Sequence, residues 1–316
     1  MDYFIGVDIG GTKCAVVKAD ADANIIENVR FETTNVTETI ENIKDGIRKM
    51  GECKAIGISC GGPLNSKTGV ILSPPNLIGW DEIHITEMLE KEFGVPAFLR
   101  NDADACALAE WKFGAGKGTE NMIFFTFGTG LGAGLILGGR LYTGACDCAG
   151  EAGHIRLENN GPVGYGKRGS FEGICSGGGI AQLATTSARE ILQMGGTPSF
   201  CKTTDDLDKI NAKIVADCAD AGHQDAIDVY NTCARMLGRG LSVIIDILNP
   251  EMIVIGSIFT RSEKLLREEM QKVINEECLG LTAKACRIVP AKLGESIGDI
   301  AAISVAVDGT TLSNRE

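Results

Sequence analysis

The sequence predicts an α/β protein built from two similar halves. Two glycine-rich turns of one design lie about 120 residues apart, at Gly10-Gly11-Thr12 and at Gly128-Thr129-Gly130. Each joins two apolar runs short enough to be strands. Strand-like runs alternate with segments of helical periodicity through both halves, the order expected of an α/β fold. A chain of 316 residues accommodates two domains and a sizeable core.

Residues 4–9 and 13–19 read as paired strands around the first turn, and 24–34 as a third strand with its turn. Residues 37–50 carry apolar residues at helical spacing (Ile40, Ile43, Ile47, Met50) behind a candidate cap, Thr37. A short buried strand over 54–60 ends in Gly61-Gly62-Pro63, and a proline-rich loop follows at 73–76. Residues 84–94 read as helix, 95–99 as strand and 103–111 as helix, broken by the glycines at 114–118. The second half restarts with a hairpin over 122–142. A glycine-rich loop (144–180) comes next, then helices at 180–193 and 205–248, a strand at 251–256, a helix at 262–277, a strand at 286–290 and a small-residue helix at 297–307.

Glycine turns let backbone amides approach a ligand, successive amides form an anion nest, and a threonine hydroxyl adds a donor. Two such turns suggest two lobes gripping one polyphosphate. The net charge of −12 argues against broad nucleic-acid or anionic-membrane binding, which needs a basic face. No segment approaches about 18 uninterrupted apolar residues, so no membrane span is expected. The twelve cysteines are scattered and no secretory leader opens the chain, so they read as reduced thiols of a cytoplasmic protein.

Asp8-Ile-Gly-Gly-Thr-Lys13, Gly61-Gly-Pro63, Pro75-Asn-Leu-Ile-Gly-Trp80, Asn101-Asp102, Gly128-Thr-Gly-Leu-Gly132 and Gly150-Glu-Ala-Gly-His154 follow in that order. Leu248-Asn-Pro-Glu-Met-Ile-Val-Ile-Gly256 and Leu293-Gly-Glu-Ser-Ile-Gly298 come after them. The ordered set resembles the ROK family of bacterial sugar kinases, a branch of the actin/hexokinase/heat-shock-70 ATPase superfamily, over nearly the whole chain. The resemblance implies a two-lobed, duplicated actin-like (ribonuclease H-like) fold with an interdomain cleft. The expected lobes are 1–118 plus 295–316, with the first turn and the catalytic acid, and 119–294, with the second turn, sugar loop and adenosine site. It also implies an ATP- and Mg²⁺-dependent glucokinase-like enzyme acting on the 6-hydroxyl of glucose or a related aldohexose. N-acetylmannosamine, N-acetylglucosamine and fructose are the alternative sugars, and a homo-oligomer (dimer or tetramer) is expected. The family also contains sugar-responsive repressors with a DNA-binding segment ahead of the first turn. Only seven residues precede Asp8, so the kinase branch is expected rather than a non-catalytic sugar sensor.

A sugar kinase must accept a proton from one hydroxyl, align it with the γ-phosphorus and neutralise the phosphates. By resemblance Asp102 is the base. At a helix start an aspartate is favoured in its ionised form, and it also serves as an N-cap. Asp8 is assigned to Mg²⁺, largely through water, or to shaping the turn. Gly10, Gly11, Thr12 and Lys13 are assigned to one side of the phosphates, and Gly128, Thr129, Gly130 and Gly132 to the other. The sugar set is Gly62, Asn76, Asn101, Asp102, Glu151, His154 and Glu172, since each hydroxyl leaving water needs a partner. His154 also has a purely structural reading. Gly177, Gly178 and Gly256 are assigned to adenosine, or to helix packing.

The sequence departs from the family in three places. Many members hold a zinc with the histidine matching His154 and three cysteines, whose positions here are Val163, Tyr165 and Ser170. Valine cannot ligate zinc and Tyr or Ser replace thiolate poorly, so no structural zinc is expected. The loop shape is expected to persist with Tyr165 filling the gap, while Cys146, Cys148, Cys175 and His154 offer a displaced alternative. Asp104 stands where relatives have asparagine, and Ser257-Ile258-Phe259 replaces the more usual glycine run after Gly256.

Overall fold

The computed structural model describes residues 2–313. Along the chain lie β1 (Tyr3–Ile9), β2 (Lys13–Asp20), β3 (Ile25–Glu32), α1 (Val36–Met50), β4 (Ile56–Cys60), the short pair β5 (Leu64–Asn65) and β6 (Val70–Ile71), α2 (Ile85–Phe93), β7 (Ala97–Asn101), α3 (Asp102–Lys112), β8 (Met122–Phe127), β9 (Leu131–Ile136) and β10 (Leu141–Tyr142). They continue with β11 (Val163–Gly164), β12 (Lys167–Arg168), α4 (Phe171–Ile174), α5 (Gly177–Gln193), α6 (Ala212–Asp220), α7 (Gln224–Leu248), β13 (Met252–Ile255), α8 (Ile258–Glu277), α9 (Gly280–Ala285), β14 (Arg287–Pro290) and α10 (Ile297–Ser313).

Two five-stranded sheets run in the orders β3-β2-β1-β4-β7 and β10-β9-β8-β13-β14. Counted within each sheet, both are third-second-first-fourth-fifth, so the duplication legible in the turns is a duplication of topology. In the first sheet β1, β2 and β3 are antiparallel neighbours, while β1, β4 and β7 run parallel. All five residues of β4 are buried, as suits a strand covered on both faces, and β3 is a largely exposed edge.

Helix α1 buries Ile40, Ile43, Ile47 and Met50 against this sheet's core. Its cap is Asn35, whose side chain accepts from the Glu38 amide; Thr37, the expected cap, lies inside the helix. Helix α10 lies close against β1 and β4 because two strand positions lack a side chain. A Cβ on Gly6 would stand 2.8 Å from Ala302 Cβ, and one on Gly57 would stand 2.2 Å from the Ala302 carbonyl oxygen. Helix α8 starts at Ile258, four residues before its expected start, and the expected loop at 144–180 holds the β11–β12 hairpin and α4.

Packing divides the chain into two units: Met1–Phe124 with Gly134–Ala149 and Lys292–Glu316, and Phe125–Ala133 with Gly150–Ala291. Among the described residues no helix is long and apolar enough to cross a membrane.

Candidate active site

In the first unit, the Gly10 amide donates to the Lys13 carbonyl at 3.1 Å and closes the bend between β1 and β2. A Cβ on Gly11 would stand 2.6 Å from the backbone oxygen of Asn76, so glycine there lets the Pro75-Asn76 loop lie on the turn. Thr12, Lys13 and Asn76 are exposed. Register places Asp8 beside Ser59 and Cys60 beside Asn101, so Asp8, Asn101 and Asp102 gather at the C-terminal ends of three parallel strands. That edge of an α/β sheet is where ligands bind. Gly62 belongs to the same group: a Cβ there would stand 3.3 Å from Asn101 Nδ2.

Asp8 is half-buried, with its Oδ2 3.0 Å from where a Cβ on Gly298 would stand. Burial pushes its pKa up to about 6, and the carboxylates of Asp102 and Asp299 add to the rise, against a Ser59 hydrogen bond and Arg30. Asp299 is buried and bonded through Oδ2 to Arg30 at 2.6 Å, while its Oδ1 has no hydrogen-bond partner.

Asn101 is the N-cap of α3: its Oδ1 accepts from the Ala103 amide at 2.9 Å. Asp102 is the first helical residue, and its Oδ1 accepts from the same amide at 2.7 Å. Asp102 is exposed by surface area, with protein packed around its carboxylate. Desolvation by that surrounding protein raises its pKa, against the backbone hydrogen bonds of the helix start, which favour the ionised form. A poorly hydrated carboxylate is a stronger base than one in bulk water. Asp104 is buried and is not what shifts Asp102.

In the second unit, the Gly128 amide donates to the Gly130 carbonyl at 3.1 Å, and Thr126 Oγ1 accepts from the Gly132 amide at 3.0 Å. The amides of Gly10, Gly128 and Gly132 are thus engaged within the turns themselves. Glu172, in the first turn of α4, accepts from the Leu131 amide at 3.0 Å, and a Cβ on Gly130 would stand 2.7 Å from the same Oε2. The structure therefore joins a sugar-assigned acid directly to the second turn. Gly150, at φ +88°, and Gly153 let the next loop press on β9, since a Cβ would stand 2.1 Å from the Ala133 oxygen and 2.5 Å from the Leu131 oxygen. This seats exposed Glu151 and half-buried His154 beside β9.

The Tyr165 ring packs edge-on to His154, with centroids 5.2 Å apart. Ser170, at another of the zinc-cysteine positions, caps α4 by accepting from Gly173 at 3.0 Å. Cys175 is buried with its thiol directed to the Cys233 carbonyl, while Cys146 and Cys148 are exposed. Among the described residues no group of three or more His, Cys, Asp or Glu is placed to hold a metal.

A cavity of about 580 Å³ opens beside the second turn, lined by Gly128, Thr129, Gly177 and Gly178. The Gly177 amide donates to the Gly128 carbonyl at 2.8 Å, which ties the start of α5 to the turn. Gly256 is buried just behind the wall, and Ser257 takes the lining place. Ser257 has φ +54° and ψ −109°, a conformation costing a non-glycine residue about 1–3 kcal/mol. Asn211, Lys213, Tyr230 and Arg261 complete much of the wall and were not foreseen. They come from α7, α8 and the start of α6, and no local motif marks them. Burial pushes the Tyr230 phenol to about 12, so it keeps its proton and donates to the Ala212 carbonyl at 3.1 Å.

A profile of the ROK family matches residues 4–308. The chain belongs to the ROK family. This ROK protein is 32% identical over 320 residues to a glucokinase of Streptomyces coelicolor, covering 97% of this chain and 98% of that one. Its fold matches a ROK family glucokinase from Streptomyces griseus, solved in complex with glucose and AMPPNP. The TM-score is 0.74 at 28% identity, over 96% of this chain and 99% of that one. ROK relatives also include a putative xylose repressor of Caldicellulosiruptor sp., 26% identical over 92% of this chain and 70% of that protein. The α/β class and the actin-like two-domain fold of these kinases hold for this ROK chain.

Proposed function

We propose that this protein transfers the γ-phosphoryl group of ATP to a hexose, at the 6-hydroxyl of glucose or a related aldohexose, with Asp102 as general base. The observation that carries the reading is the gathering of Asp8, Asn101 and Asp102 at the C-terminal ends of the parallel strands β1, β4 and β7. Similarity to glucokinases supports a sugar kinase as the class.

In this reading Gly62, Asn76, Asn101, Glu151, His154 and Glu172 take the sugar hydroxyls. Asp102 accepts the proton of the attacking hydroxyl as it bonds to phosphorus. Gly10, Gly11, Thr12 and Lys13, with Gly128, Thr129, Gly130 and Gly132, take the phosphates. Adenosine occupies the cavity beside Gly177, Gly178 and Gly256. Asp8 has a raised pKa, and Asp299, paired with Arg30 through Oδ2, keeps an unbonded buried Oδ1; two such carboxylates suit a hydrated hard cation. Asp8 would hold Mg²⁺, which when bound neutralises phosphate charge. The functional lobes are then 1–118 with 295–316, and 119–294, in a cytoplasmic homo-oligomer (dimer or tetramer) without nucleic-acid or membrane partners.

The test is an ADP-release assay over glucose, mannose, N-acetylmannosamine, N-acetylglucosamine and fructose. Glucose-dependent release supports the reading, and faster release with another of these sugars reassigns the substrate. Sugar binding without release from any of them favours a sensor, the reading that the repressor relative supports.

A further inference from the structure

The nucleotide cavity carries one residue that the glycine turns do not explain. Ser257 holds a backbone conformation, φ +54° and ψ −109°, in which glycine is comfortable and serine is strained. A serine ahead of a helix ordinarily folds its hydroxyl back onto the first helical amides. Ser257 makes no such bond to α8. Its Oγ lies 3.6 Å from where a Cβ on Gly128 would stand, so it faces the second turn.

Ser257, just ahead of α8, and Arg261, in its first turn, line the same cavity as Gly128 and Thr129. The two acids in that lining, Asp217 and Asp220, are held by Lys213 at 2.8 Å and Lys264 at 3.1 Å. The charges of the lining itself (Lys213 and Arg261 against Asp217 and Asp220) sum to zero, and Arg261 stands outside both of these ion pairs. A guanidinium only donates hydrogen bonds, and a hydroxyl beside it is free to donate. A guanidinium and a hydroxyl lining one cavity match phosphate oxygens better than a base edge.

We propose that Ser257 is a nucleotide-binding residue whose hydroxyl donates to a phosphate oxygen of a nucleoside di- or triphosphate at the second turn. The strained backbone is what holds the hydroxyl there. The inference rests on the assignment of this cavity to the nucleotide.

The test measures calorimetric affinity for ADP and for adenosine, and the melting temperature, in the wild type, Ser257→Gly and Ser257→Ala. Both variants should bind ADP about tenfold more weakly, the scale of one hydrogen bond to a charged group, with adenosine affinity unchanged. Only Ser257→Gly should melt higher, because only glycine relieves the backbone. Unchanged ADP affinity in both variants overturns the proposal. So does an equal loss for ADP and adenosine, which would make the hydroxyl a nucleoside contact. A wild type that binds neither ligand overturns the cavity's assignment itself, a failure visible before any variant is made.

Discussion

Asp102 sits where helical amides favour its charge, and desolvation by the protein packed around it raises its pKa against them. Asp102→Asn should lower kcat by roughly 10²–10⁴-fold while glucose affinity stays within a few-fold, read by steady-state kinetics beside calorimetry. The ionised form is the base, so activity should fall as pH drops through its raised pKa. An acid limb of kcat/KM at or below the ordinary value of 3.8 would count against the assignment. Asp8 makes the converse case. The folded protein keeps its proton up to about pH 6, whereas an unfolded aspartate releases it near 3.8. Folded molecules bind more protons in that window, so Asp8's contribution to stability is present at low pH and is lost as pH rises through about 6. Asp8→Asn should therefore melt higher at pH 7 in the ligand-free protein and flatten stability between pH 4 and 6.5, while turnover falls. An unchanged melting profile would refute the burial argument. These residues were legible in the sequence as members of motifs. Their charge states were not, because hydration depends on neighbours that sequence separation hides: Asp299 lies far along the chain from Asp8.

At the scale of elements, glycines set how closely helices and loops approach the sheets. Gly57 puts α10 against β4, where a Cβ would meet the Ala302 oxygen at 2.2 Å and the Ala306 nitrogen at 2.4 Å. Gly57→Ala should cost about 1–3 kcal/mol, seen as a lower denaturant midpoint. Gly61→Ala, with nothing within 4 Å of the new carbon, should cost roughly 0.5 kcal/mol or less. Equal effects at the two sites would show that close approach is not what selects glycine at position 57. Element identity was largely legible, since apolar period distinguishes β4 from α1 without tertiary help. Boundaries were less so. Asn35 rather than Thr37 caps α1 because its side chain reaches the Glu38 amide, and α8 begins at Ile258, directly after the strained Ser257. A strained residue gives no compositional warning.

For the whole molecule, ligands that bind only the folded state should stabilise it by mass action. Glucose at a hundred times its Kd should add about 2.7 kcal/mol, read as a dose-dependent rise in melting temperature, and a sugar that is no substrate or ligand should give none. The sequence by itself determined the α/β class, the duplicated halves and the family, because turn glycines and apolar periodicity are local signals that survive in one dimension. It also marked most candidate side chains, through motifs such as Asn101-Asp102 and Gly150-Glu-Ala-Gly-His154. Only the tertiary structure decided which of them meet. It set Glu172 on the second turn and Asn76 on the first, it built the cavity wall from Tyr230, Arg261 and Ser257, and it raised the pKa values of Asp8 and Asp102. Hydration, close approach and charge proximity are properties of three-dimensional neighbourhoods, and residues far apart along the chain supply them.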